Sequence, residues 1–188
     1  MLVIVILCFI TAISLLFFGN CLKKKAFGLT LLPLISFVYF LSKLTQVSGG
    51  NILTESYKWV PSLGIQLTFR LDGLSLLFAL LITGIGTLVF AYTSSYLKGN
   101  EHLDRFYGYL SIFMAAMLGL VLSDNLISLF IFWELTSISS FFLIGFKNSS
   151  ATSRKSALRA LTVTGLGGLF LLAGALTFNS IAETYSFQ

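Results

Sequence analysis

A single glutamate interrupts a long apolar run. Glu134 sits in Phe130-Ile131-Phe132-Trp133-Glu134-Leu135-Thr136-Ser137, within the stretch Leu126 to Phe146. Those 21 residues are enough to cross a bilayer as a helix. Glu134 is the ninth of them, about 12 Å from one end at a helical rise. That places it near the middle of a hydrocarbon core roughly 30 Å thick. An ionised carboxylate there is costly, so it must be paired, hydrated or protonated. The chemistry such a group can do is to take up and release a proton, or to attract a cation. On a helical wheel Ser137, Ser140 and Thr136 fall at about −60°, −120° and −160° from Glu134. They make a polar stripe whose hydroxyls can hold the carboxyl or water. Two blander readings stand beside this one. A protonated Glu134 bonded to Ser would only join helices, and a static ion pair would only be structural.

Other polar residues read first as helix punctuation. Asp124 precedes Asn125 at the start of the same run, where a carboxylate can cap a helix and complement its dipole. Access of ions from the outer surface is the alternative. Asp72 stands before Gly73, two residues after Arg70, and reads as a cap with a cation nearby, or as a relay. Glu101, His102 and Asp104 form a short polar loop, where solvation is the plain reading and metal binding or pH sensing the other. Thr164-Gly165-Leu166-Gly167-Gly168 follows no strand, so it is no dinucleotide motif. Small residues at that spacing let helices approach closely, and Gly84 and Gly86 read the same way.

The frame for these residues is a membrane. Hydrophobic residues make up 56% and charged residues 10%, with mean hydropathy +0.93. A soluble domain carries about 25% charged residues. Six spans follow: Leu2–Phe18, Phe27–Leu44, Leu74–Leu97, Phe106–Leu122, Leu126–Phe146 and Ala157–Phe178. The expected class is an all-α integral membrane protein, one transmembrane domain over 1–188. Cys8 and Cys21 have no metal spacing and read as small apolar residues. No nucleophile–base pair, metal cluster or phosphate loop is visible, so no cofactor, metal site or enzymatic reaction is expected.

The net charge of +5 does not point to nucleic acid, because the basic residues lie in short loops between spans. They set orientation instead. Lys23-Lys24-Lys25 follow the first span rather than preceding it, unlike a secretory signal. With the N-terminus outside, nine Lys and Arg fall in inner loops and three outside, accounting for all twelve. The long outer connection from Thr45 to Arg70 ends in Ile65-Gln66-Leu67-Thr68-Phe69-Arg70, which alternates with period two. With Tyr57-Lys58-Trp59-Val60 before it and Pro61-Ser62-Leu63-Gly64 between, it predicts a β-hairpin over the outer helix ends. Trp59 would lie in the interfacial belt.

The stretch from Leu120-Val121-Leu122-Ser123-Asp124-Asn125-Leu126-Ile127 into Phe132-Trp133-Glu134-Leu135-Thr136-Ser137 and Phe142-Leu143-Ile144-Gly145-Phe146 resembles the large A subunit of Mrp-type multisubunit cation/proton antiporters. So does Phe69-Arg70-Leu71-Asp72-Gly73-Leu74-Ser75-Leu76-Leu77-Phe78. The Trp-Glu core is shared with antiporter-like proton-pumping subunits of respiratory complex I. The resemblance implies that Glu134 is a proton-relay carboxylate working with a lysine on a later, broken helix. That helix is absent from these 188 residues, so the chain resembles an N-terminal portion. It further implies Na⁺ and H⁺ as transported ions, other membrane subunits as partners, and a multi-pass place in the cell membrane. A subunit of an NADH dehydrogenase- or hydrogenase-like complex and a non-transporting scaffold are the alternatives.

Overall fold

The structure is a computed structural model. It describes residues 1–22, 28–60, 65–97, 102–182 and 184–185, with the backbone alone at 18–22, 60, 65 and 182. Lys23-Lys24-Lys25, the turn Pro61-Ser62-Leu63-Gly64, Lys98, Glu101, Glu183 and Ser186-Phe187-Gln188 lie outside the described residues, as does the side chain of Cys21.

The elements run α1 (Leu2–Leu22), α2 (Leu31–Ser42), α3 (Leu44–Ser48), β1 (Leu53–Val60), β2 (Ile65–Leu71), α4 (Gly73–Tyr96), α5 (Leu103–Leu122), α6 (Leu126–Ile144) and α7 (Ala151–Ala182). Among the described residues five helical stretches are long and apolar enough to cross a membrane: Gly28–Ser48, α4, α5, α6 and α7. The apolar part of α1, Leu2–Phe17, is shorter. The chain is a multi-pass, helical membrane protein, as its apolar spans require, with a β-hairpin among the described residues.

Helices outrun the apolar spans where polar residues cap them. The stretch Lys147 to Ser156, a loop by composition, is largely the start of α7. Ser150 starts that helix: its Oγ accepts from the Ser153 N–H at 3.3 Å, and its carbonyl from the Arg154 N–H at 3.2 Å. The physical reason is that a helix end is set by its cap, whereas a hydropathy boundary only marks where lipid begins.

Helix α5 is the hub and packs against α1, α4 and α6, while α2 packs on α4 and α7 on α6. Two glycines of α5 make this possible. A β-carbon at Gly108 would come within 2.8 Å of Leu16 on α1, and one at Gly119 would overlap the Phe132 ring of α6. Tyr107, fully buried, donates its hydroxyl to the Phe90 carbonyl of α4 at 3.0 Å. Small residues at contacts and hydroxyls bonded inward are how helices associate in lipid.

The hairpin strands pair antiparallel, with Leu53 opposite Leu71, Glu55 opposite Phe69 and Tyr57 opposite Leu67. The period-two pattern has its expected result. Phe69 and Leu71 are completely buried under the hairpin, and the Phe69 ring centre lies 6.1 Å from that of Phe132. Trp59 is half exposed. Glu55 was not singled out by the sequence, yet it joins the hairpin to α1. Its Oε1 lies 2.8 Å from the Met1 ammonium, and its Oε2 accepts the Leu2 N–H at 3.2 Å. The N-terminus, the hairpin and the starts of α4 and α6 therefore share one face of the bundle.

Burial alone would push the Glu55 carboxyl up. The Met1 ammonium and the Leu2 N–H outweigh it and hold the group below its ordinary value of 4.5. At Asp72 the Ser75 backbone N–H is the strongest influence; with the Ser75 hydroxyl, Arg70 and the Leu74 N–H it overcomes burial and keeps the carboxyl below 3.8. Depressed folded values mean stabilisation that is complete above the ordinary values and lost as pH falls through the lowered ones. The unfolding temperature of the detergent-solubilised protein should be flat between about pH 8 and 5 and fall below about pH 4. A Glu55→Gln/Asp72→Asn variant should start lower and respond less to acid. An equal acid response in both proteins would refute these assignments.

Candidate functional site

The position of Glu134 is set where α6 begins. Asn125, not Asp124, is the residue that caps the helix: its Oδ1 accepts the N–H of Ile127 at 2.9 Å and of Ser128 at 3.3 Å. The remaining early donors are also satisfied. Leu126 N–H goes to the Tyr185 carbonyl and Leu129 N–H to the Asn125 carbonyl, both at 2.9 Å. Every orphan donor of the first turn is thus accounted for. The expectation of a cap at Asp124 is corrected. One residue earlier in the chain, its carboxylate faces away from the helix and toward the hairpin.

There Asp124 is tied twice to β2. Its own N–H donates to the Thr68 carbonyl at 2.9 Å, and its Oδ1 lies 3.6 Å from Arg70 Nη1. Arg70 Nε is in turn 3.5 Å from Asp72 Oδ2. The latter distance is an ion pair without a hydrogen bond, since Nε is buried and has no hydrogen-bond partner among the described residues. Asp72 caps α4 as the sequence suggests. Its Oδ1 accepts the N–H of Leu74 at 3.1 Å and of Ser75 at 2.9 Å, and the Ser75 hydroxyl accepts its N–H at 2.7 Å. Arg70, Asp72, Ser75, Ser123 and Asp124 line a cleft of about 350 Å³. The structure thus brings Asp72 and Asp124 together through Arg70.

Glu134 lies deeper, on the turn of α6 that faces α7. Its Oε1 is buried and has no hydrogen-bond partner among the described residues. A β-carbon at Gly168 of α7 would overlap that oxygen, so the carboxyl rests directly on the α7 backbone. The neighbouring Trp133 clamps the same seam, its indole Nε1 donating to the Thr164 carbonyl at 3.3 Å. The hydroxyls of the polar stripe turn back on their own helix. Thr136 and Ser137 both donate to the Trp133 carbonyl, at 2.7 and 3.2 Å. Neither reaches Glu134 Oε1, and no bond is made to it from Ser140. Ser139, not singled out by the sequence, is fully buried and bonds the Leu135 carbonyl at 2.7 Å. Ser128 Oγ, also on α6, is buried without a hydrogen-bond partner among the described residues.

Two family profiles match the chain over most of its length. Residues 59–107 match the N-terminus of chain 5 of NADH-ubiquinone oxidoreductase (complex I). Residues 123–188 match the membrane region of NADH:quinone oxidoreductase and Mrp antiporter subunits. The A subunit of the Na⁺/H⁺ antiporter of Alkalihalophilus pseudofirmus is 49% identical over 158 residues, covering 84% of this chain and 20% of that protein. The A1 subunit of the Staphylococcus haemolyticus Na⁺/H⁺ antiporter is 47% identical over 155 residues, covering 82% and 19%. Over the matched stretch the chain is similar to the A subunits of Mrp-type antiporters. A solved structure of the Mrp complex from Dietzia sp. DQ12-45-1b has the same fold, with TM-score 0.85 and 30% identity over 98% of this chain and 20% of that one. The chain spans about a fifth of the length of the antiporter subunits it matches.

Truncating Asn125 or Arg70 should loosen the start of α6. Asn125→Ala removes a cap and should cost about 1 kcal/mol. Arg70→Gln leaves the buried Asp124 carboxylate uncompensated and should cost roughly 1–3 kcal/mol. Denaturant titration by tryptophan fluorescence is the check. An Arg70→Gln protein as stable as the native one would show that the ion pairs contribute nothing.

Proposed function

We propose that this chain is the N-terminal part of the A subunit of a monovalent cation (Na⁺)/proton antiporter and that Glu134 is its proton-relay carboxyl. The observation that carries the reading is a buried carboxyl oxygen without a hydrogen-bond partner among the described residues, on a membrane-spanning helix, sealed against a neighbouring backbone. Intramembrane ionisable groups are the usual carriers of proton movement. Relatives named as Na⁺/H⁺ antiporter subunits support the assignment of the ions.

In this mechanism the proton resides on Glu134 while Oε1 rests on α7, and leaves when a cation approaches the carboxyl from another part of the complex. The side of Oε1 is closed by α7, so exchange takes place from the remaining side. Ser137, Ser140 and Thr136 lie on the same helix and support the relay by holding water near it. Asp124 and Asp72, both paired with Arg70, line the access cleft at the hairpin face. That face is the outer one, with the N-terminus outside and the chain in the cell membrane, because the basic residues concentrate at the other end. Other membrane subunits complete the assembly, and the lysine partner lies on the later helix of the full-length A subunit. The 1–188 stretch acts as one transmembrane unit within it.

A second reading is favoured by the profile named for complex I: a proton-translocating subunit of an NADH dehydrogenase-like complex. Neighbouring genes for flavin and iron–sulfur subunits would point to it.

The test is Na⁺-dependent proton flux in inverted membrane vesicles carrying the native gene set, compared with Glu134→Gln at matched assembly. Flux should drop by at least about 100-fold, as removal of a group essential to proton transfer does. Unchanged flux with the complex intact would remove Glu134 from the path.

A further inference from the structure

The proposed relay leaves open what holds the carboxyl in place, since no hydrogen bond from the described residues reaches its buried oxygen. Sterics on α7 supply the answer. Gly168 is buried, and a β-carbon there would overlap Glu134 Oε1, lie 3.1 Å from its carboxyl carbon and stand 3.3 Å from Trp133 Cδ1. The glycine is needed for space and not for backbone freedom, because it lies inside the regular helix α7. Its neighbours behave differently. β-Carbons at Gly165, Gly167 and Gly174 would meet nothing within 4 Å. The small-residue stripe of α7 is therefore not a uniform packing surface; one position in it is shaped to a carboxyl.

One turn away, the Trp133 indole donates to the Thr164 carbonyl. Thr164 and Gly168 are four residues apart and share one face of α7, just as Trp133 and Glu134 are adjacent on α6. The indole fixes the height of α7 against α6, and the glycine gives the carboxyl its seat at that height. The α7 backbone amides beside that seat are consumed by the helix itself. They offer the carboxyl shape without a donor.

We propose that Gly168 is a positioning residue for Glu134: the absence of a side chain there sets where the carboxyl sits, with the Trp133–Thr164 bond holding the register. This rests on the relay reading of Glu134.

The experiment compares Gly168→Ala, Glu134→Asp and the double variant, all in the native gene set, by Na⁺-dependent proton flux in inverted vesicles normalised to assembled complex. Displacing a reacting group by about 1 Å commonly costs up to 100-fold. Gly168→Ala should therefore lose roughly 10- to 100-fold. Aspartate withdraws the carboxyl by one methylene and clears the added methyl. Glu134→Asp should itself lose flux, but Gly168→Ala should cost less in that background than in the native one, a non-additivity that general packing damage would not show. Gly165→Ala and Gly167→Ala should transport as the native protein does. If Gly168→Ala lowers assembly instead, the same smaller loss in the Glu134→Asp background should appear in the amount of complex recovered.

Native-like flux in Gly168→Ala overturns the proposal. So does a Gly168→Ala loss that is the same in the Glu134→Asp and native backgrounds, or equal losses at Gly165 and Gly167. Any of these with Glu134→Gln inactive leaves the relay standing, whereas an active Glu134→Gln removes the relay itself.

Discussion

The bond from the Asp124 N–H to the Thr68 carbonyl couples a β-hairpin to the first turn of a membrane helix. The depth of every residue on α6 follows from it. A helix is a stiff rod, and Glu134 is the ninth residue of α6, so it is held about 12 Å below the anchored end. Asn125, the Tyr185 carbonyl and the Arg70–Asp124 pair satisfy the polar groups that the anchor brings together. Phe69 presses on Phe132 from the same strand, and Phe132 in turn fills the space left by Gly119 of α5. Hairpin, α5 and α6 thus form one braced unit.

Lipid gives helices no hydrophobic reason to associate, so contact must come from close fit and inward-directed polar groups. The bundle uses both. Glycines at Gly108, Gly119 and Gly168 each receive a bulky or polar group from a neighbour, while serine and threonine hydroxyls are largely spent on carbonyls of their own helices. That economy explains why the hydroxyls beside Glu134 do not approach Oε1. A hydroxyl with a carbonyl three or four residues back is already satisfied in a helix. The carboxyl, lacking such a partner within its own turn, is left facing the one neighbour that has no side chain.

Much of this was legible in the residues. Apolar run lengths located the membrane helices, period-two alternation located the second strand, and the depth of Glu134 came from counting along its run. The capping of α4 by Asp72 was also readable, because a carboxylate two residues after an arginine and just before Gly73 has few other uses. Adjacent capping types in Ser123-Asp124-Asn125 were ambiguous by one position, and a shift of one residue turns a side chain by about 100°. Only the strand beside them decided that Asp124 faces Arg70 while Asn125 caps. Glu55 gave no local signal at all, since its partner is the chain's far-off first residue.

Hydropathy and periodicity are properties of neighbouring residues and need no tertiary contact, so a membrane bundle with a carboxylate at mid-depth could be read from the order of residues alone. The surroundings of that carboxylate could not. Wheel angles relate residues on one helix, whereas the seat of Glu134 is built by Gly168, thirty-four residues further along on a different helix. Which face of α7 meets α6 depends on how two rods are rotated and slid against each other. That is fixed by the Trp133–Thr164 bond and by the space a missing side chain leaves.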